Sequence, residues 1–149
     1  MNKLLELAGA ATLIVSLIFI GYEIRLANRI AQVETEWEMF NSYASYNELH
    51  IEKPELFIEK PIQEYTESDI VRKQAIFYRF LNVWLAAETA YSNGMISEAT
   101  YLITLADAED VLNRTKESGA ISLWEPILAK YTFLADKEII KFIAQEIES

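Results

Sequence analysis

Apolar positions follow two different patterns along this chain, and the change comes at residues 23–25. Residues 7–22 form a run of sixteen positions without a charged side chain, which Glu23 and Arg25 end. As a helix this run is roughly 24 Å long, and Leu4 and Leu5 extend it towards the ~30 Å hydrocarbon core of a bilayer. The pattern predicts a transmembrane helix over residues 1–25 and a helical domain over residues 26–149.

Two alternatives to a membrane span are open at this stage. A cleaved signal peptide needs a basic start and a cleavage site with small residues, but Lys3 is the only basic residue ahead of the run and no such site follows it. A buried core helix is the other alternative, which Glu6 favours. We expect the C-terminal domain to lie in the cytoplasm, because Arg25 and Arg29 follow the run and Glu6 offsets Lys3.

Small side chains recur on one face of the predicted span, at four-residue spacing. They are Ala8, Thr12 and Ser16. Small residues let membrane helices approach closely where lipid gives no hydrophobic drive for association. These three residues are therefore candidates for a helix-packing surface. The alternative is that they are ordinary small residues of a span.

Beyond the apolar run, the helix is predicted to continue to about residue 51, because no glycine or proline occurs between Arg25 and Pro54. Its apolar residues recur in alternating steps of three and four, the spacing of a heptad seam, with a polar interruption at Asn47. The seam consists of Leu26, Ile30, Val33, Trp37, Phe40, Ala44, Asn47 and Ile51. Such a stripe packs against its own bundle or against another chain as a coiled coil, and we predict the first arrangement.

Cap and turn residues divide the rest of the domain into helices. Pro54 fits the first turn of a short helix, Thr66 and Ser97 are N-cap residues, and Gly94 ends the helix between them. Asp69 follows Thr66 by three residues and Glu125 follows Ser122 by three, which predicts a capping box at each of these two helix starts. The predicted helices cover residues 54–59, 67–92, 98–113, 123–132 and 136–148. No strand pattern competes, so the predicted fold is all-α: one N-terminal transmembrane helix running into a small helical bundle.

Charge and composition exclude several classes of function. The formal net charge is −10, with 13 Lys and Arg against 23 Asp and Glu. An acidic surface without a basic patch repels phosphate backbones, so we predict no nucleic-acid binding. The chain has no cysteine, and His50 is its single histidine. Thiolate catalysis, finger-type zinc sites and Glu-x-x-His di-iron sites are therefore excluded.

Signatures of catalysis are absent from the sequence. No nucleophile elbow, phosphate-binding loop or dinucleotide glycine pattern occurs. The acidic residues Asp107, Glu109 and Asp110 cluster on one predicted helix, where a solvated face is the favoured interpretation over a metal site. We therefore predict a protein that is not an enzyme, without catalytic residues, bound metal or cofactor.

The densest group of chemical side chains lies on the predicted helix 67–92. It comprises Arg79, Trp84, Glu88 and Tyr91. Glu88 interrupts an apolar run, and a buried carboxylate must be paired or have a raised pKa. The group is a possible ligand site. The favoured alternative is an acid that pairs with Arg79 or another base and fixes how two helices meet.

The end of the apolar run resembles a group of small uncharacterised bacterial membrane proteins. Residues 16–28, SLIFIGYEIRLAN, resemble the end of that group's N-terminal span, which has a "SLI…QIR.N" pattern; Glu23 stands in place of the glutamine. Residues 80–84, Glu88, Tyr91, Gly94 and Trp124 are similar to the group's helical half. The resemblance implies a bacterial inner-membrane location and brings no known activity.

These observations together predict a single-pass membrane protein that acts through protein–protein interaction. Besides the lipid bilayer, its partner is expected to be another membrane protein, of which it is a small accessory subunit, or further copies of itself. The alternative is a membrane-tethered sensor or effector whose cytoplasmic helical domain binds a small ligand near Glu88.

Overall fold

A single long helix forms the N-terminal third of the protein in the computed structural model, which describes residues 2–58 and 60–148. Helix α1 (Asn2–Glu52) has 51 residues and is about 75 Å long. No proline interrupts it, so the backbone hydrogen bonds continue through the predicted boundary at residues 25 and 26. The boundary is therefore a change in the surface of the helix and not a break in it.

The first half of α1 is not covered by the rest of the protein. Residues 7–31 are all exposed. The helix contains a window of 18 residues that is apolar enough to cross a membrane, and none of that window is buried. By length and composition α1 can span a bilayer. The alternative of a buried core helix is wrong, because the side chains of a core helix would be covered.

The second half of α1 packs on the bundle, but not through the heptad seam. Its covered face carries Glu36, Met39, Tyr43 and Tyr46, of which Met39 is buried. At 100° per residue the centre of this face lies about 110° around the helix from the centre of the seam. The predicted core position of the seam is therefore wrong, and we call the exposed stripe the outer seam: Leu26, Ile30, Val33, Trp37, Phe40, Ala44, Asn47 and Ile51.

Four shorter helices complete the described part of the fold, which contains no strand. They are α2 (Glu67–Ser92), α3 (Glu98–Glu117), α4 (Glu125–Leu128) and α5 (Glu138–Glu148). The connections contain 3₁₀ turns at Pro54–Leu56, Ile62–Glu64, Ala120–Trp124 and Thr132–Leu134. The fold is all-helical, as the sequence predicts, with the long apolar helix leading into a bundle-like packing.

Three predictions differ from the observed segments. The helix predicted over 123–132 is reduced to the four residues of α4. The short helix predicted over 54–59 is a three-residue 3₁₀ turn, and Glu59 lies outside the described residues. The capping box predicted at Ser122 is also wrong, because Ser122 lies inside a 3₁₀ turn and α4 begins without a side-chain cap. Leu123 and Trp124 are buried in that turn, so core packing determines the backbone there.

Local hydrogen bonds set the ends of α2 and the start of α3. Thr66 and Asp69 form a reciprocal capping box at α2, and Ser97 accepts a hydrogen bond from the backbone N–H of Thr100 at α3. The turn between the two helices contains Gly94 with φ +67°, a left-handed conformation that glycine adopts without strain. This short connection makes α2 and α3 an antiparallel pair.

The bundle core is centred on stacked aromatic rings from α2 and the turn before α4. The ring centroids of Phe77 and Trp124 lie 4.4 Å apart at an interplanar angle of 6°, and those of Trp84 and Trp124 lie 5.6 Å apart. Ile139 and Ile143 of α5 are fully buried in the same cluster. The aromatic stack therefore joins the middle of α2 to the C-terminal part of the chain.

Candidate functional site

The four residues of the possible ligand site do not converge on one cavity. The Arg79 guanidinium lies 5.8 Å from the centroid of the Tyr46 ring on α1. Tyr91 stacks on Tyr101 of α3 with ring centroids 4.5 Å apart. Trp84 is fully buried in the aromatic core. Each of these side chains contacts a different neighbour, so their common helix does not make them a common site.

Glu88, the fourth member, caps another helix. Its carboxylate oxygens accept hydrogen bonds from the backbone N–H of Glu138 at 3.0 Å and of Ile139 at 3.1 Å. These are N–H groups of the first turn of α5, which have no partner within their own helix. The positive end of the helix dipole favours a carboxylate at this position. Glu88 therefore fixes how α2 and α5 meet.

A lysine completes the surroundings of this buried carboxylate. Lys137 Nζ lies 3.9 Å from a Glu88 oxygen, so the base near Glu88 is Lys137 and not Arg79. Glu88 is only 6% exposed, and a carboxylate so covered requires such partners. The geometry agrees with the structural alternative, and the ligand-binding interpretation stays a prediction.

Trp84 and Asp107 form the polar contact between α2 and α3. The indole Nε1–H of Trp84 donates a hydrogen bond to Asp107 Oδ2 at 2.8 Å. Burial raises the pKa of Asp107, while the hydrogen bond from Trp84 and the charge of Arg114 act in the opposite direction.

Asp110 pairs with Arg114 at 2.8 Å. Within residues 2–58 and 60–148, no three acidic or histidine side chains form a group that could hold a metal ion.

A glutamate from α1 caps α3 across the fold, a contact that no sequence pattern indicated. Glu36 Oε1 accepts hydrogen bonds from the Ser97 backbone N–H at 2.7 Å and from Thr100 Oγ1 at 3.2 Å. The hydrogen bond from the Ser97 backbone is the main cause that lowers the pKa of Glu36. Because about sixty residues separate Glu36 from α3, no local pattern could have revealed the pair.

Two tyrosines add further contacts between helices. The Tyr43 hydroxyl of α1 donates to Thr104 Oγ1 of α3 at 3.4 Å, and burial raises its pKa. The Tyr101 hydroxyl of α3 donates to Glu138 Oε2 of α5 at 3.1 Å; burial and the Glu138 carboxylate raise the pKa of Tyr101. These two side-chain hydrogen bonds therefore connect α3 to α1 and to α5.

Beyond the apolar run, the outer seam is a second apolar surface of α1 that the fold leaves uncovered. Trp37 is 66% exposed, Val33 66% and Phe40 47%. The stripe runs along the second half of α1, a distance of about 38 Å between Leu26 and Ile51. Large contiguous apolar patches on a protein surface mark interaction sites. The outer seam is therefore the candidate interface of this protein.

The small-residue stripe of the apolar run also lies on the exposed surface of α1. Ala8, Thr12 and Ser16 are exposed. The Thr12 hydroxyl donates to the Ala8 carbonyl and the Ser16 hydroxyl to the Thr12 carbonyl, each at 2.9 Å. Both hydroxyl donors therefore have partners within their own helix, which lowers the penalty for placing them in hydrocarbon. The helix-packing role of the stripe stays a prediction.

Comparison with known proteins adds no relative to this description. No family model, no curated protein and no solved structure matches the chain.

Proposed function

We propose that this chain is a single-pass membrane protein whose helical domain acts through protein–protein interaction, as a small accessory subunit of a membrane complex or as a homo-oligomer. The observation that supports this proposal is the exposure of the outer seam beside a helix that can span a bilayer. Water-exposed apolar stripes are unfavourable, and a partner that covers the stripe removes that penalty.

The location proposed for the protein is the bacterial inner membrane, with the bundle in the cytoplasm. Arg25 and Arg29 follow the apolar run directly, and cytoplasmic flanks of membrane helices carry an excess of such cations. The acidic bundle, with most of the chain's 23 carboxylates, is not attracted to anionic lipid. The bundle surface is therefore available to proteins and not held flat on the membrane.

A non-enzymatic role is part of the proposal. The polar side chains between the helices, Glu88 and Asp107 among them, have helix ends or a core indole as partners. Such groups stabilise the fold and are not directed at an open cleft. An interaction protein needs no more chemistry than this, because its function lies in the surface that it presents.

The test is gentle extraction of tagged protein from native membranes, followed by the mass and composition of the particle. A particle that contains more than this one chain, or several copies of it, agrees with the proposal. Trp37→Ser should reduce the particle to a single chain. Phe133→Ser is the matched control, because Phe133 is 74% exposed but lies outside the outer seam. A strictly monomeric wild-type particle without any partner would contradict the proposal.

A further inference from the structure

The outer seam has the register of a two-stranded coiled coil. Its steps of three and four place Ile30, Trp37, Ala44 and Ile51 at heptad position a and Leu26, Val33, Phe40 and Asn47 at position d. The face that packs on the bundle is centred about 110° away around α1, and all eight seam residues are exposed, so the bundle does not cover the seam itself. The α1 helix thus has one face for its own domain and another for a partner helix.

We propose that the outer seam binds a second copy of this chain as a parallel, in-register coiled coil from Leu26 to Ile51. This inference rests on the proposed function and names its partner. Two copies inserted in the same membrane with the same orientation leave it side by side and point in the same direction. The membrane span therefore selects the parallel arrangement, in which each seam residue meets its own equivalent.

Charges beside the seam fit this arrangement. In a parallel coiled coil, a residue at position g faces position e of the next heptad on the other helix, five residues later. Arg29 at g therefore faces Glu34 of the second copy, and both side chains are exposed. The symmetry of the dimer forms this pair twice. The preceding pair, Tyr22 with Ala27, is uncharged. At the next two g positions, Glu36 and Tyr43 contact the bundle of their own chain, so the ionic pairing with a second copy is confined to Arg29 and Glu34.

Two polar residues define the register and the extent of the contact. Asn47 lies within the seam, and in the in-register dimer its amide meets the Asn47 amide of the second copy, which can satisfy it. Glu23 occupies the a position before Leu26. Two glutamates at facing a positions repel each other, so the close contact begins at Leu26, after the helices leave the membrane.

The apolar area of the seam is sufficient for a stable contact. Trp37 and Phe40 are about two-thirds and one-half exposed. From two copies, these four rings alone remove on the order of 500 Å² of surface from water. Leu26, Ile30, Val33 and Ile51 add their aliphatic surface, and Ala44 leaves space beside the large rings. The total approaches the size of ordinary specific interfaces.

Single-cysteine cross-linking tests the arrangement, since the chain has no cysteine of its own. Ala44→Cys places a thiol at an a position, where the two copies lie within disulfide distance. Ser45→Cys is the matched control on the adjacent residue, which points away from the seam. After mild oxidation in native membranes, we expect a disulfide-linked dimer for A44C and none for S45C. Equal cross-linking of both variants, or none for A44C, would overturn the proposal.

A charge exchange tests the parallel register independently. Arg29→Glu replaces two attractive pairs with two repulsive ones, so dimerisation should weaken about tenfold. The double variant Arg29→Glu with Glu34→Arg restores opposite charges and should regain the affinity. The measurement is the dimer fraction at increasing dilution in detergent, with both variants compared at low and high salt. Failure of the double variant to recover would contradict the Arg29–Glu34 pairing.

A photoreactive side chain at Trp37 separates this inference from the proposed function. Benzoylphenylalanine at that position, in the full chain in native membranes, forms a covalent bond with whatever covers the seam. An adduct of two copies of this chain supports the inference. An adduct with a different protein overturns the second copy as the partner and leaves the proposed function intact. The absence of any protein adduct, with lipid as the only target, overturns both.

Discussion

Removal of the Glu88 carboxylate tests the contact that joins α2 to α5. Glu88→Ala deletes the acceptor of two backbone N–H groups at the start of α5. One of them belongs to Ile139, which is fully buried, so water cannot replace the lost acceptor without opening the core. The variant therefore leaves a buried donor unsatisfied, and the helix also loses the charge that stabilises its dipole.

The magnitude follows from these losses. A hydrogen bond to a charged group contributes about 1.5–3 kcal/mol, and the loss of a helix cap costs about 1 kcal/mol. Because the terms overlap, we expect Glu88→Ala to lower the free energy of unfolding by about 3 kcal/mol. For a chain of this size that corresponds to a decrease in Tm of roughly 10 °C. The contact with Lys137, at 3.9 Å, adds little.

The assay is thermal unfolding of the full chain in detergent, followed by circular dichroism. Glu88→Gln should have an intermediate Tm, because the amide oxygen can still accept one of the two hydrogen bonds. Glu109→Ala is the control, since Glu109 is an exposed residue of α3, and its effect should stay within about 0.5 kcal/mol. A Tm for Glu88→Ala equal to that of the control would refute the capping role and favour the ligand hypothesis.

Three further predictions concern the other contacts of the bundle. Hydrogen bonding lowers the pKa of Glu36 in the folded state, so its carboxylate stabilises the fold above the unfolded pKa of about 4.3, and this contribution is lost as pH falls through the lowered value. The stability difference between wild type and Glu36→Gln should therefore be largest near neutral pH, start to decrease in acid denaturation curves near the unfolded pKa, and disappear only once the pH is below the lowered pKa of Glu36. Asp107→Ala should lower the unfolding free energy by about 1–3 kcal/mol, because the buried Trp84 indole loses its acceptor. Asp107→Asn keeps an acceptor oxygen and should cost less. Urea titrations followed by tryptophan fluorescence measure both variants, and equal effects of the two substitutions would contradict the prediction. In a detergent that keeps the chain monomeric, Met39→Ala should lower the free energy of unfolding by about 2–3 kcal/mol and Phe40→Ala by under about 0.5 kcal/mol, since Met39 is buried and Phe40 is exposed. Thermal melts that rank the two variants in the opposite order would show that the faces of α1 are misassigned.

Features determined by neighbouring residues could be predicted from the sequence. The capping box at Thr66, the cap at Ser97 and the left-handed Gly94 depend on hydrogen bonds and backbone angles within a few residues. The apolar run that makes α1 a candidate span depends only on composition over sixteen residues. Local free energy decides these features, so a local pattern is enough to identify them.

The failure at Ser122 shows where local patterns stop being sufficient. Its sequence offers a capping box, but the adjacent Leu123 and Trp124 are buried and the backbone forms a 3₁₀ turn instead. Burial of an indole ring contributes more than one cap hydrogen bond. Tertiary packing therefore decided the structure of that segment against the preference of its own residues.

The sequence by itself determined that α1 carries an apolar stripe with heptad spacing, and only the tertiary structure decided which way that stripe points. A core-facing stripe and a coiled-coil seam have nearly the same period, so periodicity cannot distinguish them. The deciding contacts join residues far apart in the chain, such as Glu36 with the start of α3 and Tyr43 with Thr104. These polar contacts hold a different face of α1 on the bundle, and the outer seam stays exposed.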